Sequence, residues 1–292
     1  MRPHLAAVVL NFRTPSDTVL AVKALLASER PIDRIVVVDN DAVESVREML
    51  TPLPNRVTYL LTGKNLGFSG GVNTGIREAL ARGAERVLLV NSDVIVPPDC
   101  VERLEAAVEK PDIGIAAPAI VARADPGWVA SLGMSYSSRT GRMRHKGVGR
   151  RLRAGEPVES GVVDAVSGCV MLVRREVFDT IGLFFEPYFF SFEDLDFCLA
   201  ARRAGFHTFL VGDTLAYHEG GRSIGADAPI RLYFGTRNHL MLARRNGGSV
   251  GIIVLLNLAH AVRARGGSIS ARIGAVLSGV RDYFVGRTGA GG

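Results

Sequence analysis

The sequence predicts an α/β fold in which a mostly parallel central sheet is flanked by helices, and three observations carry that expectation. Short β-branched runs recur through the first half of the chain, and apolar residues at helical spacing fill the intervals, giving the order β-α-β-α-β-α-β. Polar residues close the runs, as they do where a sheet presents its strand ends to a ligand. With 292 residues, 47% hydrophobic and 22% charged, there is apolar material for a sizeable core in one large or two small domains. That balance argues against a disordered or fibrous chain.

The expected strands are 5–12 (LAAVVLNF), 34–40 (RIVVVDN), 57–61 (VTYLL) and 86–93 (RVLLVNSD), with helices over 16–28, 43–50 and 70–82. Right-handed crossovers between parallel strands then put helices on both faces. The strand ends bring Asn11, Asp39, Asn40, Asp41, Asn91, Ser92 and Asp93 to one rim. After residue 110 the rhythm changes. An apolar run at 113–121 precedes a Gly-, Ser- and Arg-rich stretch, 131–161, with seven Lys or Arg between Arg139 and Arg153, expected as a mobile loop or hairpin. There follow VVDAVSGCVMLVRR (162–175), a short helix ending near Gly182, the aromatic run LFFEPYFFSF (183–192), and a helix over 193–205 with a glycine stop. Two short strands, 207–212 and 214–220, finish the body, and 229–246 has helical spacing. The apolar stretch Val250 to Ala259 falls short of the roughly 20 residues of a bilayer span, so an in-plane amphipathic helix is expected there.

Charge is unevenly placed. Residues 1–220 hold 25 Lys and Arg against 27 Asp and Glu, net −2, whereas 221–292 hold 10 Arg against Asp227 and Asp282, net +8. A basic, partly apolar tail on a near-neutral body points to an anionic membrane surface as partner. Nucleic acid is not expected, because no interleaved aromatic stacking pattern accompanies the arginines. Three widely spaced cysteines, Cys100, Cys169 and Cys198, allow neither a disulfide framework nor a CxxC site, so reduced thiols are expected. The N-terminal apolar run is too short for a secretory signal, and cytoplasmic residence is the corresponding expectation.

Several constellations can carry chemistry. Asp93 leaves the most apolar strand at the ligand rim beside Asn91 and Ser92; one carboxylate with diphosphate oxygens and water suits Mg²⁺ or Mn²⁺, although a turn cap before Pro97 and Pro98 would use the same residue. Asp39 could accept from the imide N–H of uracil or thymine, while Asp41 suits an Asx turn or helix N-cap near Ala42. Gly67, Gly70, Gly71 and Gly75 in GKNLGFSGGVNTGI permit close backbone approach at a helix start that favours an anion, with Asn65 and Asn73 adding donors and acceptors. Glu193, Asp194 and Asp196 open a helix for which Ser191 is the expected N-cap. The dipole accommodates such acids structurally, yet crowding beside apolar rings raises a carboxylate pKa toward the range of a general base. His218, in AYHEGG, could complete a metal shell from across the cleft.

The order and spacing of VVLNF, VVVDN, KNLGFSGGVNTGI, LLVNSDV, SGCVMLVRREVFDTIGLFFEPYFFSFEDLDFCLAARRAGF and AYHEGG resemble the inverting nucleotide-sugar glycosyltransferases of family 2, nearest to their bacterial rhamnosyltransferase-like subgroup. The resemblance covers residues 5 to about 220 and implies a GT-A, Rossmann-like sheet. It divides the chain into 1–220, with a nucleotide-binding half (1–110) and an acceptor and catalytic half (111–220), and a basic amphipathic helical tail (221–292). It also implies that Asn11, Asp39, Asn65, Gly67, Gly71, Asn73, Asn91, Ser92 and Asp93 serve the nucleotide-sugar donor. Asp93 and His218 then hold the divalent cation, and Asp194 is the base, with Glu193 in support and Asp196 as supporter or rival. The family's DXD motif reads NSD here, with Asn91 in place of its first acid. The activity implied is transfer of a hexose from a UDP- or dTDP-sugar to a glycan or lipid-linked acceptor at the inner face of the cell membrane. A silent nucleotide-sugar binding protein and a nucleotidyltransferase are the alternative functions.

Overall fold

A computed structural model describes residues 2–51, 53–153, 155–220, 228–264 and 267–291. Residues 221–227, which include Asp227 at the start of the expected tail, lie outside the described residues. In chain order the elements are β1 (Leu5–Asn11), α1 (Pro15–Leu26), β2 (Arg34–Asp39), α2 (Arg47–Leu50), β3 (Val57–Leu61), α3 (Gly67–Ala81), β4 (Arg86–Asn91), β5 (Val94–Ile95), α4 (Cys100–Val108) and β6 (Ile113–Ala122). They continue with β7 (Val129–Ser131), β8 (Met134–Tyr136), β9 (Met143–His145), β10 (Gly161–Val163), β11 (Val170–Arg174), α5 (Arg175–Ile181), α6 (Glu193–Arg203), β12 (His207–His218), α7 (Ala228–Asn246), α8 (Val250–Arg263) and α9 (Ile269–Phe284).

The main sheet has the order β10-β12-β6-β11-β4-β1-β2-β3, with β5 beside β12 and β7 beside β6. The ladders β3-β2-β1-β4 and β6-β12 are parallel, and β11 inserts antiparallel between β4 and β6. The strand order reverses between β1, followed by β2 on one side, and β4 on the other; this is the crevice where such sheets bind ligands. Alternate residues of β1 serve two cores. Leu5, Ala7 and Val9 join α1 and α4 residues such as Val22 and Leu104, while Ala6 and Val8 join Ile76 of α3 and Phe197 of α6. Fully burying each Val, Leu or Ile is worth about 1.5–3 kcal/mol, which is why these strands read as continuous apolar runs.

Four local expectations are revised. The helix expected over 43–50 shrinks to α2, because the Asp39 carboxylate accepts from the Ser45 backbone N–H at 2.8 Å and also meets the Ser45 hydroxyl, drawing the preceding chain into bends. Asp41 consequently caps no helix; it accepts from Ala42 N–H and pairs with Arg13. The two strands expected over 207–220 form the single strand β12, with a register irregularity between Val211 and Leu215. Ser191 does not cap α6: Phe192 takes that position with φ +74°, and no side chain caps the helix. The stretch 131–161 contains the β8–β9 hairpin.

The first helix beyond residue 220 is built into the body. In α7, Arg237 and Asn238 are fully buried, and α8 and α9 pack against α7 through small apolar clusters around Leu232, Val276, Leu240 and Ile253. Val250, Ile252, Leu255 and Val262 of α8 remain exposed. Among the described residues, no helix is long and apolar enough to cross a membrane.

Candidate active site

Two adjoining cavities lie at the strand ends. The smaller, about 110 Å³, is a narrow slot bounded by Phe12, Asn40, Asn65, Gly67, Ser92 and Phe189. The larger, about 290 Å³, is bounded by His145, Ser167, Gly168, Cys169, Glu193 and Asp194. Phe68, Asn91 and Phe190 line both, so Asn91 at the end of β4 stands at their junction.

Asp93 follows Ser92 in the turn after β4 and is 4% exposed. Pairing of β5 with β12 sets Val94 opposite His218, bringing His218 Nε2 to 3.3 Å from Asp93 Oδ1. Burial opposes the charge on Asp93, but the His218 contact and the backbone N–H groups of Asp93 and Gly220 outweigh it and hold the carboxyl below its ordinary value. Ser92 is fixed by Thr14, their hydroxyl oxygens 2.7 Å apart.

Across the junction, Asp194 accepts from Gly168 N–H at 3.0 Å through Oδ2 and from Leu195 N–H at 2.8 Å through Oδ1. Burial nevertheless raises its pKa, against those two hydrogen bonds and the opposing influence of His145. Glu193 is more extreme. Among the described residues its buried Oε2 has no hydrogen-bond partner, and burial followed by the adjacent Asp194 pushes its carboxyl well above the ordinary value. Cys169 lies between the two sites: burial first, then Asp93 and Asp194, raise its thiol to about 12. It is therefore a protonated wall residue, and all three cysteines are buried and free.

The segment carrying these acids is held in sparsely populated backbone geometry, with φ +63° at Phe189, +73° at Ser191 and +74° at Phe192. Two elements hold it there. The Phe68 N–H at the start of α3 donates to Phe189 O at 2.7 Å, and Gly67, at φ +72°, leaves room for that approach because a Cβ would lie 2.3 Å from Phe189 O. From the other side, the Asn238 amide of α7 donates toward Tyr188, Phe190 and Ser191 carbonyls at 2.9, 2.6 and 3.1 Å.

Not every expected residue reaches the cavities. Asn11 and Asp39 are fully buried and bound to each other; Asp39 also accepts from Tyr59 at 3.0 Å, so the carboxylate expected to meet a base is engaged within the protein. Gly71 packs α3 against Leu10, and Asn73 clasps the aromatic loop through Phe184 N–H and O. Asp196 turns away from the cavity to Arg245 at 2.9 Å and Asn246 at 2.7 Å, fastening α7. Conversely, Phe12, Phe68 and His145 line cavities without having been expected there. Asn40, expected at the rim, lines the slot; it donates to Gly67 O and accepts from Leu66 N–H.

The donor set can be tested against a divalent cation. Among the described residues there is no cluster of three or more His, Cys, Asp or Glu side chains suited to a metal. One carboxylate and one imidazole at 3.3 Å do fit a cation that takes its remaining ligands from diphosphate and water.

Comparison with known proteins identifies the family. The family model described as glycosyltransferase like family 2 matches residues 3–232. The dTDP-rhamnosyl transferase RfbF of Shigella flexneri is 25% identical over 257 residues, covering 84% of this chain and 82% of its own. The N-acetylglucosaminyl-diphospho-decaprenol L-rhamnosyltransferase of Mycobacterium tuberculosis is 28% identical over 244 residues, covering 76% and 78%. In fold, the chain is similar to GalNAc-T7 solved with UDP, GalNAc and Mn²⁺, at a TM-score of 0.67 and 12% identity over 97% of this chain and 56% of that one. It is similar also to the mannosyltransferase PcManGT of Pyrobaculum calidifontis with GDP-Man and Mn²⁺, at 0.62 and 13% over 97% and 88%. The chain thus belongs to the glycosyltransferase like family 2, as a rhamnosyltransferase-like hexosyltransferase built on the GT-A fold.

Proposed function

We propose that this enzyme moves a hexose, rhamnose among the candidates, from a UDP- or dTDP-sugar to a lipid-linked or polysaccharide acceptor in cell-envelope glycan synthesis. The observation that carries this reading is the pair of cavities meeting at Asn91: one is lined by Ser92, next in the chain to the Asp93–His218 pair, which itself lines neither cavity, and the other holds the Asp194 carboxylate. The relatives named above, transferring rhamnose, support the substrate class.

In this reading the donor lies in the slot lined by Phe12, Asn65, Gly67 and Ser92, its leaving diphosphate directed toward Asp93 and His218. These two side chains would hold Mg²⁺ or Mn²⁺, which when bound neutralises charge on the departing nucleoside diphosphate. Asp194, oriented by the Gly168 and Leu195 N–H groups, takes the proton of the acceptor hydroxyl. Its raised pKa makes it a stronger base than an ordinary Asp. Attack from the face opposite the leaving group inverts the anomeric carbon in one step. Asp39 supports the donor site through Asn11 and Ser45, and Asp196 supports the catalytic loop through α7.

Product analysis tests the reading. Incubation with UDP- and dTDP-sugars and candidate acceptors should release the nucleoside diphosphate together with a glycoside of inverted configuration, read by NMR. Pyrophosphate release would favour nucleotidyl transfer, and binding without turnover a sensor. Peripheral attachment at the inner membrane face rests on the basic tail and the exposed Leu255 and Val262. Leu255→Glu in the full chain should then reduce sedimentation with anionic vesicles.

A further inference from the structure

A third cavity, about 620 Å³, opens from the catalytic one, sharing Met143, His145, Phe192 and Gly235 with it and no residue with the aromatic slot. It lies between the β8–β9 hairpin, α7 and α8. Among the described residues its ionisable lining is Arg142, His145, Arg231, His239, His260 and Arg263, without Asp or Glu. Leu232, Leu256, Ala259 and Ala264 supply an apolar side.

The walls are fixed to one another through His239. A carbonyl can only accept, so the 2.7 Å contact with Gly141 O assigns the proton to Nε2, and Nδ1 accepts from Asn257 of α8 at 3.2 Å. The ring also stacks on Phe192, centroids 4.9 Å apart. One neutral imidazole thus joins hairpin, catalytic loop, α7 and α8, leaving Arg142 and Arg263 to present charge. Among the described residues, no carboxylate pairs with Arg142 or Arg263.

We infer that this cavity binds the phosphate or diphosphate group of the acceptor, whose sugar then reaches Asp194 in the cavity beside it. The inference rests on the glycosyl-transfer reading and narrows it to an acceptor esterified to phosphate. Arg142 and Arg263, with no acid among the described lining residues, fit a polyanion, and guanidinium forks match phosphate oxygens. The apolar side fits the first carbons of a chain attached beyond the phosphate. A neutral polysaccharide would use neither feature.

The test uses the full chain in chelator, titrated calorimetrically with inorganic diphosphate. Saturable binding is expected. Arg142→Ala with Arg263→Ala should weaken it by roughly tenfold or more, whereas Asp93→Asn should leave it in place. In transfer assays the same double variant should raise KM for a sugar-diphosphate-lipid acceptor far more than it lowers kcat. Diphosphate affinity indifferent to the double variant, or lost in Asp93→Asn, overturns the proposal. So does binding of phosphatidylglycerol vesicles through these arginines without binding of diphosphate, which would make the patch a membrane contact. Diphosphate binding that depends on both arginines, in a protein showing no sugar transfer, would uphold the anion site while removing the enzymatic reading. Transfer unaffected by the double variant would do the reverse.

Discussion

His218 stands 3.3 Å from Asp93 because β5 is only two residues long and pairs with the end of β12, so the turn carrying Asp93 is pressed against a strand from the other half of the chain. A cation held by this pair should bind more weakly when either partner is removed. His218→Ala is expected to raise the Mn²⁺ concentration for half-maximal activity by about 10- to 100-fold, with Asp93→Asn changing it in the same direction. A Mn²⁺ titration of initial rates checks this; an unaltered requirement in both variants would dissociate the pair from the metal.

Glu193 costs stability at neutral pH. Its folded-state pKa is raised, by burial and then by Asp194, above the ordinary 4.5. The folded protein therefore takes up the proton more readily than the unfolded chain, so stability is full below about pH 4.5 and declines as pH rises toward the folded value. Glu193→Gln removes the charge. It is expected to raise Tm at pH 7–8, by on the order of a few degrees, with the gain shrinking toward pH 4.5. Thermal unfolding across that range checks the sign.

The loop that leads into Asp194 is held by α7. Replacing Asn238 by Ala removes its amide from the carbonyls of Phe190 and Ser191, at a cost of about 1–3 kcal/mol for the buried group, while Tyr188 O keeps Arg237 and Phe190 N–H as donors. The left-handed residues Phe189, Ser191 and Phe192 should then relax. The expected result is a loss in kcat exceeding the change in KM for the donor, measured by steady-state kinetics at a temperature where the variant is folded.

Much of this was legible in residue patterns. Strands β1, β2 and β4 announce themselves because parallel strands buried on both faces are continuous apolar runs, and Asp93 is visible as the first acid where one such run ends. Asp194 stands out because three acids beside apolar rings need an explanation. The function of α7 was not legible: periodicity identifies a helix face but not its partner, and Arg237 and Asn238 in a basic segment have the composition of a solvated surface. The helix expected at 43–50 failed because Asp39 competes for Ser45, a bond between residues six apart that helical periodicity does not encode. Aromatic cavity residues such as Phe12 and Phe68 carry the same hydrophobic signal as core residues.

The most direct test of the central claim, that Asp194 serves as base in a cavity adjoining the donor site, compares Asp194→Asn with the parent enzyme for donor binding and for turnover. Donor affinity should stay within about threefold while kcat falls by roughly 10²- to 10⁴-fold. The parent's rate should decline with acid at a pH above the ordinary Asp value of 3.8, because burial raises the group that must be ionised. Turnover by Asp194→Asn close to that of the parent, with donor binding intact, would contradict the account.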